Sequence, residues 1–180
     1  SQKILPIKLD KFSKQNNIDR NKFIILLPGR LTLWKGQKIF IEAIKLLYEK
    51  NDIPSFEAII LGGDQGRNVY KKQLHDLVQQ YRLSKIIKFI DHCAEMPIAY
   101  GIANLVCSCS YEPEAFGRVA VEAQSMQIPI IASNIGGSIE TIIKDKTGYF
   151  FKNKDPNDLA NSIVAVMQKD YNSLKSLGIE

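Results

Sequence analysis

Short apolar runs alternate with longer amphipathic stretches from one end of the chain to the other. The runs are "KFIILLP" (22–28), "FEAIILG" (56–62), "IIKFI" (86–90), "NLVCSC" (104–109), "IPIIAS" (128–133) and "GYFF" (148–151). Each is β-branched or aromatic and is bounded by Gly, Pro, Asp or Ser, which predicts strands. Several are continuously apolar, as in strands covered on both faces. Between them the spacing predicts helices. Residues 36–50 place Ile39, Phe40, Ala43, Ile44 and Leu47 on one face, and residues 67–82 do the same with Val69, Leu74, Leu77, Val78 and Tyr81. Further helices are expected over 115–126 and 156–169, with shorter ones near 95–102 and 138–144. Strand-helix-strand repetition implies right-handed crossovers, hence an α/β fold with a doubly wound, mostly parallel, Rossmann-like sheet of about six strands. Residues 1–21 read as a lead-in segment and 22–180 as one domain.

Composition narrows the class. The chain has 180 residues and is 45% hydrophobic, enough for one core. It has no run of about 18 apolar residues that could span a membrane, and no signal-peptide pattern. Its cysteines, Cys93, Cys107 and Cys109, are odd in number and form no metal-ligand pattern. Cys107 and Cys109 would share one strand face and pack there. A reducing cytoplasm fits this usage. The net charge of +5 suits an anionic partner such as a phosphate or the inner face of a membrane; a lysine-rich surface explains it equally well. Nothing points to nucleic acid.

In a doubly wound sheet, ligands collect beyond the C-terminal strand ends. The loops there are "PGRLTLWKG", "GGDQGR", "DHCAEMP", "SYEPEAFG" and "SNIGGS", each carrying Gly, charge or both. In the first, Gly29 permits a tight turn while Arg30 and Lys35 set two cations near a helix start. Two readings are open: a diphosphate clamp, or solvated loop charges. Neither a P-loop nor a G-x-G-x-x-G follows a strand, so the usual dinucleotide fingerprint is missing. In "EPEAFGRVAVE" (112–122), Glu114 and Glu122 are eight positions apart. On a helix this is roughly 12 Å of rise, whereas glycosidase carboxylates stand ~5–9.5 Å apart. A hydrolytic pair is therefore disfavoured. A long ligand fits better, with hydroxyls near each acid and an anion by the amides of Phe116, Gly117 and Arg118. The alternative for Glu114 is an acid at a helix N-terminus, favoured by the dipole.

These segments together, with "LGGDQGR", "MPIAYGIANLVCSCSYEPEAFGRVAVEAQSMQIPIIASNIGGSIETI" and "KTGYFF", resemble the C-terminal domain of retaining, GT-B, family 4 (group 1) glycosyltransferases. The resemblance covers about residues 22–169. It rests on GR-x-x-x-x-K-G, Glu-x7-Glu and GG-x-x-E in that order. It implies a domain that binds a UDP-, GDP- or ADP-sugar donor for transfer of a hexose with retention, and no metal or other cofactor. By the resemblance, Glu114 contacts the donor hexose, the amides of Phe116 and Gly117 approach the sugar and diphosphate, and Glu122 binds the ribose. Arg30 and Lys35 stabilise the departing diphosphate, so Glu114, Arg30 and Lys35 form the catalytic set. Gly29, Gly62, His92, Ala115, Arg118 and Val119 complete the donor-binding set, His92 from the loop where the family holds the base. A glycan or lipid-linked acceptor would be held by an N-terminal domain outside this chain, in cell-envelope polysaccharide or lipopolysaccharide synthesis. Alone, the domain is expected to turn over little. Other classes remain beside this one: a nucleotide-sugar 2-epimerase of the same architecture, or a non-catalytic nucleotide-sugar-binding subunit.

Some positions depart from the family pattern. Lys8 and Leu9 stand where Asn-Gly is common, Gln127 and Lys146 where Gly is common, so the local turns are expected to be rebuilt. His75 reads as a structural or solvated histidine, and so, on spacing alone, does His92. Trp34 is expected to pack in its loop, Gly136 and Gly137 to permit a turn or border the sugar site, and Glu140 to tie down its own loop.

Overall fold

The computed structural model describes residues 5–66 and 68–169. All six expected strands form: β1 (Phe23–Pro28), β2 (Phe56–Leu61), β3 (Ile87–Ile90), β4 (Leu105–Ser108), β5 (Ile130–Ser133) and β6 (Tyr149–Phe151). They make one sheet in the order β3-β2-β1-β4-β5-β6. Every pairing is parallel. The connecting helices are α1 (Pro6–Gln15), α2 (Gln37–Tyr48), α3 (Asn68–Gln80), α4 (Met96–Ile102), α5 (Arg118–Ser125), α6 (Gly137–Thr141) and α7 (Pro156–Met167).

The continuous apolar runs are explained by the two faces they serve. Successive residues of β1 point opposite ways: Ile25 and Leu27 enter one core with α2, α3 and α7, while Ile24 and Leu26 enter another with α4 and α5. The expected stripe of α2 is wholly buried in the first core. Cys107 and Cys109 share that core as free thiols, and burial pushes the pKa of both up. At α7 the Asp155 carboxylate accepts from the amides of Asn157 and Asp158, at 3.0 and 3.1 Å. That arrangement satisfies two donors left open by the first turn.

Four expectations are corrected. Residues 6–18, read as a lead-in outside the core, form α1 and a turn that dock on α4. Leu9 and Phe12 pack there, and Ile18 is buried. Val69, expected on the buried face of α3, is 75% exposed. The helix expected from 115 begins only at Arg118, because Gly117 turns left-handed at φ 65°. Finally, the turn after α5 is not rebuilt around Gln127: Gln127 itself adopts φ 57°, with its amide bonded to Gln124 O at 2.9 Å. Near Lys146 the left-handed residue is Asp145 (φ 63°), so no glycine is required at 146.

Candidate functional site

The C-terminal ends of β1, β2 and β3 open, together with the start of α5, onto a cleft of about 430 Å³. It lies where the strand order reverses between β1 and β4, the place a doubly wound sheet leaves open between diverging crossovers. Its floor depends on one glycine. A Cβ on Gly62 would fall 2.1 Å from the Gly29 carbonyl oxygen. The two strand ends therefore touch backbone to backbone, tied by Gly29 N–H donating to Leu61 O at 2.8 Å.

The first wall comes from the β1–α2 loop. Gly36 lies so close to β4 that a Cβ there would sit 1.9 Å from Cys109 O. This contact draws the preceding 3-10 turn, Leu33–Lys35, against the chain that leaves β4. Lys35 Nζ reaches Glu114 Oε1 at 2.7 Å and lies 4.5 Å from the centre of the Trp34 ring. The Ser110 hydroxyl donates to the same carboxylate oxygen. Arg30 is positioned through its backbone, since the buried Gln37 amide donates to Arg30 O at 2.8 Å. Its guanidinium reaches Gln65 Oε1 only at 3.4 Å.

The Glu114 loop is seated on α6. Gly137 N–H donates to Glu114 O at 2.8 Å. A Cβ on Gly136 would meet Glu114 N at 2.7 Å, and one on Gly137 would meet Phe116 C at 2.7 Å. These two glycines thus permit close approach of the loop rather than only a turn. Glu140 is exposed on α6 and has no side-chain hydrogen bond among the described residues, so its expected loop-tying role does not form.

One turn into α5, Glu122 accepts from the Tyr100 hydroxyl at 2.7 Å and meets Arg118 at 3.4 Å. Tyr100 is buried at 2% exposure. Burial, then the hydrogen bond to Glu122, raises its pKa well above the usual 10, so the phenol stays a donor. Because only residues from Arg118 onward are helical, helix rise spans four of the eight steps between the two acids. The helical ruler inferred from the sequence does not apply. What separates the acids is instead their anchoring: Glu114 to Lys35 and Ser110, Glu122 to Tyr100 on α4.

Of the residues singled out in the sequence, Gly29, Arg30, Lys35, Gly62, His92, Glu114, Arg118, Val119 and Glu122 line this one cleft. Ala115 and Phe116 are exposed and outside its lining, while Gly117 is buried toward α6. His75 is remote, stacked on Phe89 with ring centres 4.0 Å apart. Trp34 is half-buried in its loop. Tyr100 and Ser110 were missed. Tyr100 read as one more apolar residue of a short helix, and Ser110 carried no signal beyond its place four residues before Glu114.

Chemically, the cleft offers two cations on one wall, the start of α5 at Arg118 and Val119, and two carboxylates each bound by a neutral hydroxyl. Such a set can take an anion beside the cations and ligand hydroxyls at the acids. Among the described residues no cluster of His, Cys, Asp and Glu could hold a metal ion, and no helix is long and apolar enough to cross a membrane.

Comparison with known proteins identifies the family and the fold. The model of the family "Glycosyl transferases group 1" matches residues 9–179. A D-inositol 3-phosphate glycosyltransferase of Corynebacterium glutamicum is 27% identical over 154 residues, 84% of this chain and 37% of that protein. HepE of Anabaena, solved with UDP-glucose, superposes with a TM-score of 0.85 at 28% identity, over 97% of this chain and 46% of the other. A C-terminal domain of a group 1 glycosyl transferase (LpcC) from Francisella tularensis gives 0.75 at 28% identity, over 86% of this chain and 80% of that one. The chain thus spans less than half of the full-length relatives, and most of the isolated domain. It belongs to the group 1 glycosyl transferases, with the Rossmann-like fold of one half of a GT-B enzyme.

Proposed function

We propose that this domain holds the nucleotide-diphosphosugar donor of a retaining family 4 hexosyltransferase whose acceptor, a glycan or lipid-linked sugar, sits on the remainder of the protein. The observation that carries this reading is the placing of Lys35 and Glu114, 79 positions apart in sequence, in contact on the wall of the cleft that also holds Glu122. In this reading the ribose hydroxyls meet Glu122, the diphosphate lies by Arg30, Lys35 and the α5 amides, and the hexose lies by Glu114. Charge develops on the diphosphate as its bond to the anomeric carbon breaks. Fixed cations beside it stabilise that charge more in the transition state than in the ground state, which is what accelerates the step. The two cations are assigned the role a metal has in other transferases. UDP is the first choice of nucleotide, supported by the UDP and UDP-glucose complexes of HepE.

The test is calorimetry of the chain with UDP, GDP and ADP, wild type and Glu122→Ala. UDP is expected to bind, and the substitution to weaken it by roughly tenfold or more, the worth of hydrogen bonds to a charged group. Absence of binding by all three at millimolar concentration overturns the donor-site reading. Unchanged binding by Glu122→Ala removes the ribose role.

A further inference from the structure

The Glu122 carboxylate is not free to turn. Its Oε2 accepts from the Tyr100 hydroxyl at 2.7 Å, and this phenol comes from α4, a different element that lines the same cleft through Met96 and Tyr100. Among the described residues its Oε1 meets only the Arg118 guanidinium, at 3.4 Å, on a side chain that is 83% exposed. The two oxygens are therefore unequal: one is held by a short bond from a rigid, buried ring, the other by a long contact to a mobile-length side chain in water. A long exposed contact of this kind contributes little. We propose that Tyr100 is a positioning residue for nucleotide selection, fixing the Glu122 carboxylate through Oε2 so that Oε1 is presented to a ribose hydroxyl.

Three physical points support the assignment, which rests on the donor-site reading above. Tyr100 is almost fully buried yet also lines the cleft, so its ring is locked by the core while its hydroxyl reaches the site. A neutral donor leaves the negative charge of Glu122 in place to accept from a ligand hydroxyl, whereas a lysine or a tight arginine pair would neutralise it. Burial keeps the phenol protonated, so the donor does not reverse into an acceptor at any ordinary pH. The recognition is thus of ribose hydroxyls, independent of the base, and it depends on the orientation of an acid that Tyr100 touches and the ligand does not need to displace.

The experiment compares UDP with 2′,3′-dideoxy-UDP by calorimetry on wild type, Tyr100→Phe, Glu122→Gln and the double variant. Wild type is expected to prefer UDP by roughly tenfold or more, about the worth of one charge-assisted hydrogen bond. Tyr100→Phe keeps the ring and removes only the donor. It is expected to cut that preference by roughly fivefold while leaving dideoxy-UDP affinity within about twofold. If Tyr100 acts through Glu122, the double variant shows no further loss of preference than Glu122→Gln alone, because the two belong to one unit. Equal weakening of both nucleotides by Tyr100→Phe, or an additive loss in the double variant, overturns the positioning role and leaves only packing. Failure of the wild type to bind either nucleotide is a different result and overturns the donor-site reading itself. Thermal unfolding of each variant, run alongside, separates loss of fold from loss of preference, and Tyr100→Met, which also lacks the donor, takes the place of Tyr100→Phe in the cycle if the latter is unstable.

Discussion

Both edges of the sheet pair glutamate with lysine, and they do so to opposite ends. At the N-terminal edge, Glu57 near the start of β2 is 3% exposed. It is closed by Lys22 at 3.1 Å, Lys88 at 3.7 Å and the Asp19 amide at 3.3 Å. Close by, the Asn104 side chain accepts from Ile24 N–H at 2.7 Å, capping the strand ends. At the C-terminal edge, Glu114 and Lys35 form a shorter pair, at 2.7 Å, but both line an open cleft, and the Glu122 side chain beside them is more than a third exposed. The chemistry is the same in kind. The difference is whether the surrounding chain seals the charges or leaves them a face toward solvent. A sealed carboxylate with all its partners inside the fold serves stability; one with an unshared oxygen in a cleft can change partner when a ligand arrives.

The comparison is tested hardest at Glu57. Glu57→Ala leaves two lysines facing a buried gap, and is expected to lower stability by about 2–3 kcal/mol, below the figure for a fully buried pair because both lysines can reach water. Urea unfolding measures it, and nucleotide affinity of the folded fraction should not move. Glu114→Ala reverses the pattern. Unfolding is expected to shift by about 1–2 kcal/mol, less than at Glu57, since the Lys35 ammonium and Ser110 hydroxyl left behind face a cleft that water can enter. Calorimetry should show UDP-glucose weakened roughly tenfold while UDP holds or tightens, since Lys35 is released for the diphosphate. If UDP and UDP-glucose fall together, Glu114 is a structural acid like Glu57. Next in size is Gln127→Gly, outside both edges, which relieves a left-handed side-chain-bearing residue and is expected to raise stability by about 1 kcal/mol, visible as a higher Tm. Smallest is Lys88→Met, expected to cost about 0.5 kcal/mol by the same unfolding assay, since Lys22 remains the nearer partner of Glu57.

The sheet was legible in the sequence because several strands are continuously apolar and alternate with amphipathic helical stretches, a combination that a parallel sheet covered on both faces satisfies. Its loops were legible as a set, since glycine and charge gather wherever strands end on one edge. Helix α1 was not, because its apolar contacts reduce to Leu9, Phe12 and the following Ile18 amid lysines, and no side chain caps its start. The start of α5 was misplaced because "EAFGRVAVE" has helical spacing throughout, while the left-handed turn at Gly117 depends on backbone contact with α6 twenty residues later. Tyr100 and Ser110 escaped for the same reason. Their importance lies in which carboxylate oxygen they occupy, and that is a property of packing across elements, with no local signature.

The contact between Lys35 and Glu114 also bears on how the chain acquires its fold. It closes a loop of 79 residues, and the neighbouring β1–β4 pairing joins segments about as far apart. Closing so long a loop has a high entropic threshold, so these contacts form after the local strand-helix units of each half. The cleft is lined from both halves, so neither alone carries it whole. A partly folded chain, however much helix it has, should therefore not capture nucleotide, and the appearance of nucleotide binding in a refolding experiment would time the moment when the two halves of the sheet join.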